Sequence, residues 1–459
     1  MTDLPSKTFC VFPFTHLVVH NIGTYGPCCA AEEFTSVDYN GNQFTSGMFQ
    51  PHTQKIKPYG MTTDEAFYSE FQTDIRKQLL DGKKPSACIR CWKDESVPRL
   101  KSKRIGNNKF YLGLRPEFEG IFDYNVDDMI NHPQLQSLDL KFSNKCNLHC
   151  LMCASGSSDM WELLDKKIHN YFAMKNIDPD AIKGLYYGNE HSKRITETDA
   201  CKPFPDTLFE EIKSLIPQLQ EIQCTGGDPF VNAHFIELLN YAVETGHAGH
   251  IALEITTNGT KFVTDIMELL IHFRHVRFLV SIDGTEGTYD YIRAPFSYTL
   301  LLERMQTLDE YLVAGKIRGW VEINPVAMSY NIFDYVKLSA ITDSMECQAD
   351  WFGNVSFTLY NIDNPLHIKW LPDALIFEAL QYYKSLLTHP KIDTNVPAAV
   401  ISGFEGYIKN NYADSATKLY NQRRMKNYTV LMDKMLNRDY HDFLDHRICK
   451  FLDSVEGDL

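Results

Sequence analysis

Three cysteines fall within eight residues in Cys146-Asn147-Leu148-His149-Cys150-Leu151-Met152-Cys153, with three and then two residues between them. Thiols at that spacing suit metal chemistry. An iron–sulfur cubane is normally held by four thiolates. A loop offering three leaves one iron open to a small molecule, as an open position marks a catalytic metal site. The competing readings are a zinc site or scattered core thiols. A second group precedes it: Cys10, the pair Cys28-Cys29, and Cys88-Ile89-Arg90-Cys91. Cys10, one of Cys28 or Cys29, Cys88 and Cys91 make a complete set of four. Such a set closes a cluster with no open iron, and it suits tetrahedral zinc equally well.

Further candidates lie where strand-like runs end. Glu221–Thr225 leads into Gly226-Gly227-Asp228-Pro229. Glycines let the backbone come close to a ligand, and their carbonyls and amides can hold an ammonium group. A third run ends in Thr256-Thr257-Asn258-Gly259, where Asn258 offers an amide. A fourth ends in Ser281-Ile282-Asp283-Gly284, followed by Tyr291-Ile292-Arg293. The planar fork of Arg293 suits a carboxylate. Taken singly, each of these is an ordinary βα turn. Asp139 and Lys141 share one face of their strand by period two. Glu254 and Glu322 sit on later strands; any of these carboxylates is either a general base or one half of an ion pair with Lys141. His149 is expected to be solvated or to pack in its loop, not to be a ligand.

The elements that must position these groups alternate. Strand-like runs cover Gln136–Phe142, Glu221–Thr225, Ile251–Thr257, Val276–Ile282, Gly319–Val326 and Val355–Tyr360. Helical periodicity covers Asp159–Met174, Val231–Thr245, Val263–Phe273, Tyr298–Val313, Ile332–Thr342 and Leu371–Leu387. Six β–α repeats argue for an α/β fold, a parallel sheet with helices outside it. Function in barrels of this kind sits at the C-terminal ends of the strands, and the cysteine triplet follows the first one. Ahead of the sheet, Thr15–Asn21 reads as the first strand of a hairpin that Cys28-Cys29 closes. Asp64–Leu80 reads as a helix with Phe67, Phe71, Ile75 and Leu79 on one face. The expected organisation is an N-terminal cysteine-rich unit (1–105), a connector (106–133), a sheet domain (134–390) and a helical C-terminal region (391–459). Residues 175–204 form a long polar and aromatic gap, expected to be a substrate lid.

Composition narrows the class. The chain has 459 residues, 44% hydrophobic and 23% charged, as in ordinary globular proteins. A net charge of −14 argues against a nucleic-acid partner, which needs a basic face. No secretory segment or long apolar run stands out, so a cytoplasmic protein away from membranes is expected. Twelve cysteines in a reducing compartment point to metal or catalysis, not disulfides. Cys201, Cys224, Cys347 and Cys449 stand alone and read as packing thiols.

The triplet, with the strand ends that follow it, resembles the signature of the radical S-adenosylmethionine (SAM) enzymes. The resemblance covers roughly residues 1 to 345. It implies a partial (β/α)6 barrel, a [4Fe–4S] cluster on Cys146, Cys150 and Cys153, and SAM on the open iron. Gly226 and Gly227 would hold its ammonium group, Asn258 would lie near the ribose, and Ser281 and Arg293 would contact SAM. Two positions depart from the family. Asp228 stands where Glu is usual, and Met152 stands where an aromatic residue packs near adenine; a thioether can serve there. The N-terminal pattern, Cys-x-x-Pro-aromatic, Gly-x-x-x-Pro-Cys-Cys and Cys-x-x-Cys-Trp, resembles the twitch domain, a shortened SPASM domain holding an auxiliary [4Fe–4S] cluster. In many relatives it follows the core; here it precedes it. The implied activity is reductive cleavage of SAM to a 5′-deoxyadenosyl radical that takes hydrogen from a substrate. A peptide is expected first and a small molecule second, with an electron donor such as flavodoxin or ferredoxin. The alternative is a non-enzymatic metalloprotein, an electron carrier or zinc scaffold, which would not need the strand ends.

Overall fold

In the computed structural model the described residues are 4–20, 25–31, 34–37, 43–46, 62–96, 102–113, 122, 124–177, 204–347, 349–351, 365–386, 401, 405 and 414–457. Among these described residues there are ten strands, β1 (His16–His20), β2 (Tyr25–Gly26), β3 (Phe34–Val37), β4 (Gln43–Ser46), β5 (Ser137–Lys141), β6 (Glu221–Cys224), β7 (Ala252–Thr257), β8 (His275–Val280), β9 (Gly319–Ile323) and β10 (Ala349–Trp351). Eight form one sheet in the order β10-β9-β8-β7-β6-β5-β1-β2, and β3 pairs with β4 apart from it. From β10 to β1 every pairing is parallel; only the hairpin partner β2 runs antiparallel. The fold is α/β with a mostly parallel sheet.

Alternation divides the sheet into two faces. Leu138, Leu140, Ile222, Cys224, Leu253, Ile255, Phe278 and Val280 are buried on one, with Trp161, Ile168, Phe235, Leu238, Leu301 and Leu308 from the helices that cover it. Each such side chain contributes about 1.5–3 kcal/mol when fully buried, so this face holds the domain together. The helices Asp159–Met174 and Tyr298–Val313 have the bounds expected from their periodicity. The other face carries Asp139, Glu221, Gln223, Glu254, Arg277 and Glu322, all strand residues that stand in register with one another or with polar neighbours.

Several elements differ from the sequence expectation. The hairpin at Thr15–Asn21 forms, but β1 also pairs in parallel with β5, His16 opposite Ser137 and Val18 opposite Asp139. The N-terminal segment therefore extends the main sheet. The expected connector holds two helices, Lys103–Tyr111 and Val126–Asn131. The helix expected over Asp64–Leu80 is two, Thr63–Phe67 and Glu70–Leu80, because Ser69 caps a fresh start by accepting from Gln72 N. The one expected at Ile332–Thr342 becomes the 3-10 turn Tyr335–Leu338 and the short helix Ser339–Ser344, with a further 3-10 turn, Ser329–Asn331, just ahead of it. Here side chains compete with the helical ladder: Asn331 Oδ1 accepts from Met328 N, and Asp334 accepts from Thr285. Cys224 and Cys449 are core thiols, as expected. The strand at Val355–Tyr360, Cys201 and most of the expected lid, 178–203, lie outside the described residues.

Candidate functional site

The cysteine triplet lies on the loop that leaves the C-terminal end of β5. Side chains tie this loop down from several sides. Cys146 N donates to Asp159 Oδ1 (2.9 Å), Ser158 Oγ donates to Leu148 O (2.5 Å) and Trp161 Nε1 donates to Cys150 O (2.9 Å). The amides of His149 and Leu151 donate to Ala294 O and Ile292 O, at 3.0 and 2.9 Å. His149 Nδ1 also meets Ala294 O (2.7 Å), the packing role expected of it. Cys146, Leu148 and Cys150 are buried together, with Met152, Cys153 and Phe296 against them. Burial pushes the Cys146 thiol up to about 12, with the neighbouring Cys150 adding to it. A hydrogen bond between Cys150 and Cys153 raises the first thiol and lowers the second. Three thiolates crowded in this setting need a cationic group to make them tenable, which fits an iron–sulfur cluster.

The strand ends converge on the triplet. Gly226 and Gly227 have φ of +85° and +56°, where a side chain is strained. A Cβ on Gly227 would stand 2.1 Å from Lys145 O, so only glycine lets this turn lie against the residue before Cys146. Asp228 N donates to the same carbonyl (2.8 Å). Asn258 Nδ2 donates to Asn147 Oδ1 (2.9 Å) and reaches Cys146 Sγ at 3.8 Å. Arg293 Nη1 reaches Cys150 Sγ, also at 3.8 Å. Two expected ligand groups already have protein partners. Both oxygens of Asp228 are engaged, Oδ2 by Thr257 Oγ1 (2.8 Å) and Asn258 N (2.7 Å), and Oδ1 by Phe230 N (3.1 Å). Arg293 pairs with buried Asp283 at 2.6 Å, leaving Nη1 towards the sulfur. Ser281 is half-buried at the end of β8, its amide on Thr257 O (2.8 Å).

The second cysteine group also assembles. Cys10, Cys28, Cys88 and Cys91 share an apolar cluster with Phe9, Phe12, Ala87 and Trp92. Burial raises the Cys28 thiol, and each of the other three adds to that by repulsion. Cys88 is pushed up to about 12 by burial and by Cys91. Cys29 is exposed, and its sulfur accepts from Lys103 Nζ at 2.8 Å. Among the described residues no three His, Cys, Asp or Glu side chains converge as a single metal ion requires. A four-iron cluster takes each thiolate on a separate iron, so its ligands stand further apart than those around one zinc.

Residues 140–317 match the family model described as the radical SAM superfamily. That stretch, under half of the chain, is similar to a radical SAM domain. No curated protein matches the chain. Among solved structures it is similar to native anSMEcpe with bound AdoMet, at 14% identity and a TM-score of 0.32, covering 56% of this chain and 63% of that one. It is also similar to Streptococcus suis SuiB bound to precursor peptide SuiA, at 12% identity and 0.33, covering 64% and 63%. For Streptococcus suis SuiB itself the values are 12% and 0.34, with 93% of this chain and 79% of that one covered. The chain thus spans less than two thirds of the first two structures.

The polar face of the sheet is met by the helix Lys103–Tyr111, which the sequence reading missed. Tyr111 Oη donates to Glu221 Oε1 (2.8 Å), and Glu221 also accepts from Ser137 Oγ (2.6 Å) and Gln223 Nε2 (3.1 Å). Burial, reinforced by Glu254, pushes Glu221 up to about 7. Phe110 lies under the Arg277 guanidinium, 5.0 Å from ring centre to carbon. Arg277 pairs with Glu254 (2.6 Å) and Glu322 (2.7 Å). The ion-pair partner of these glutamates is thus Arg277, not Lys141. Glu254 and Arg277 are opposite each other across β7 and β8, a juxtaposition that only the register reveals. Asp139 is raised by burial, against the pull of Lys141 and Lys103.

Proposed function

We propose that the chain is a radical SAM enzyme, with Cys146, Cys150 and Cys153 as the ligands of its SAM-binding [4Fe–4S] cluster. When bound, the reduced cluster and SAM supply a 5′-deoxyadenosyl radical able to take hydrogen from an unactivated C–H bond. One observation carries the reading. Asn258, just past the end of β7, and Arg293, just past the helix Glu286–Ile292, each reach a sulfur of the triplet. The Gly226-Gly227 turn, closed against Lys145, presents backbone groups for SAM's ammonium. Arg293, held by Asp283, keeps a fixed positive charge beside Cys150. Asp228 fixes Asn258 through its amide, so its part is to orient that side chain. Ser281 and Met152 are assigned to SAM from the family resemblance.

Cys10, Cys28, Cys88 and Cys91 are the proposed ligands of an auxiliary [4Fe–4S] cluster in a twitch-like N-terminal unit. Its role is to accept an electron from the substrate radical or to bind substrate. The substrate is proposed to be a peptide, or else a small molecule; this rests on the resemblance alone. The electron donor is of the flavodoxin or ferredoxin class, in a reducing cytoplasm. Among the described residues no helix is long and apolar enough to cross a membrane.

The test uses anaerobically reconstituted full-length protein with SAM and dithionite, measuring 5′-deoxyadenosine and iron in one sample. Nucleoside with about eight irons per chain supports both clusters, and about four keeps only the radical centre. Zinc with no nucleoside would make the scaffold reading the leading one.

A further inference from the structure

The helix Ser415–Leu436 lies far outside the stretch that matches the radical SAM family, yet it touches that domain at its reactive end. Tyr428 is buried, and its Oη donates to Leu151 O at 2.5 Å. Leu151 stands between Cys150 and Cys153. Its amide donates to Ile292 O, in the arm that carries Arg293. Both backbone polar groups of this one residue are therefore fixed, one by the C-terminal helix and one by the arm. The helix grips the arm as well. Tyr291 Oη donates to Asp433 Oδ1 (2.8 Å), and Arg438 lies over the Tyr291 ring at 3.9 Å. Lys167, behind the cysteine loop, donates to Met435 O.

The loop's carbonyls show what this bracing does. Those of Leu148, Cys150 and Leu151 are taken by Ser158, Trp161 and Tyr428. The donors that face the sulfurs are Asn258 Nδ2 at Cys146 and Arg293 Nη1 at Cys150, each at 3.8 Å. Donors aimed at cluster sulfurs, and acceptor dipoles turned away from them, both tune such a centre. Ser158 and Trp161 lie within the matched domain; Tyr428 does not. We infer that Tyr428 is a positioning residue of the radical centre: it holds the Leu151 carbonyl off the sulfurs and keeps Cys150 and Cys153 aligned with Arg293. The effect on the cluster rests on the proposed function, whereas the effect on the loop rests on these hydrogen bonds alone.

Tyr428→Phe keeps the ring and removes one hydroxyl. In the reconstituted full chain it is expected to bind iron as the wild type does. The SAM-induced change in its cluster EPR spectrum should be altered. SAM should bind about tenfold more weakly, which is about 1.4 kcal/mol. Hydrogen exchange of the peptide spanning Leu148–Cys153 should be about tenfold faster. Thr429→Val is the control. It removes the adjacent hydroxyl, which bonds Tyr330 Oη at 2.7 Å and does not touch the loop. It is expected to match the wild type in all of these. The inference is overturned if Tyr428→Phe exchanges and binds SAM like the wild type, or if Thr429→Val loosens the loop equally. Wild-type protein with no iron or no SAM-dependent spectrum defeats the radical reading instead. The exchange comparison then decides by itself whether Tyr428 orders the loop.

Discussion

The two cysteine groups solve different problems with the same side chain. The triplet is surrounded by polar and charged groups: Asn258 and Arg293, from distant parts of the chain, face its sulfurs, and the nearby Ser158, Asp159 and Trp161 together with distant Tyr428 hold its backbone. The N-terminal four lie among Phe9, Phe12, Phe14, Ala87 and Trp92. Two cations lie over the Trp92 ring, the Arg104 guanidinium at 5.2 Å, itself paired with Glu95 at 2.8 Å, and Lys84 Nζ at 5.6 Å. A polar rim suits a cluster that must also accept a charged ligand. An apolar wall suits one whose ligands are all protein thiols, because nothing else need enter. On the proposed assignment ligand number and surroundings agree: three cysteines where polar side chains face the sulfurs, four where apolar side chains wall them in.

The largest expected effect breaks that comparison at one end. Replacing Cys146, Cys150 and Cys153 together by Ala should abolish 5′-deoxyadenosine formation and leave about four of about eight irons, those of the N-terminal group. Nucleoside from this triple variant would sink the assignment of the radical centre. Next comes the other end. Cys28→Ala should lose the N-terminal iron while SAM cleavage persists, whereas Cys29→Ala should keep a full iron count. Equal losses in both would show that the exposed thiol beside Lys103 is also a ligand.

How much of this could be read from the sequence follows from how local each feature is. The triplet and the Gly226-Gly227 turn were legible because their geometry is set within a few residues. The paired strands β5 to β9 were legible because apolar runs alternate with helical periodicity. What failed depends on long-range pairing. Arg277 lies between Glu254 and Glu322 only because β7, β8 and β9 are neighbours in one register. Lys103–Tyr111, with Gly106 inside it, looks like a connector until Tyr111 finds Glu221 on the sheet. Asp228 and Arg293 were singled out as candidates, but their protein partners Thr257 and Asp283 could not be inferred from spacing.

A smaller change sharpens the claim that the glycine turn shapes the open centre and not the closed one. Gly227→Ala puts a Cβ at 2.1 Å from Lys145 O on a backbone with φ of +56°. The strain is of the order of 1–3 kcal/mol, and relief requires moving the segment that carries Cys146. SAM affinity should fall by roughly tenfold or more, while iron in the N-terminal group is unchanged. Calorimetric SAM binding together with iron analysis of the reconstituted variant checks both parts. Loss of the N-terminal iron as well would mean that the two regions are not independently built.

The effect smallest on either cysteine group, read in stability and not in iron or SAM binding, concerns what joins the two regions. The helix Lys103–Tyr111 holds the Cys10 segment, through Asn108 Nδ2 and Arg104 Nη1 on Phe9 O, both at 2.8 Å. Its far end docks on the sheet through Tyr111 and Glu221. Glu221 is raised to about 7 by burial, from an ordinary value of 4.5. A carboxyl raised on folding contributes stability that is fully present below its unfolded value and lost as pH rises through its folded one. The folded protein should therefore lose up to about 3 kcal/mol, relative to a neutral replacement, between roughly pH 4.5 and pH 7. Glu221→Gln keeps an acceptor for Tyr111 without the titration. Denaturant unfolding of the two proteins across that window should show the difference growing as pH rises and flat above it. A constant difference would mean that Glu221 titrates alike folded and unfolded, and that the dock between the two cysteine regions is insensitive to its charge.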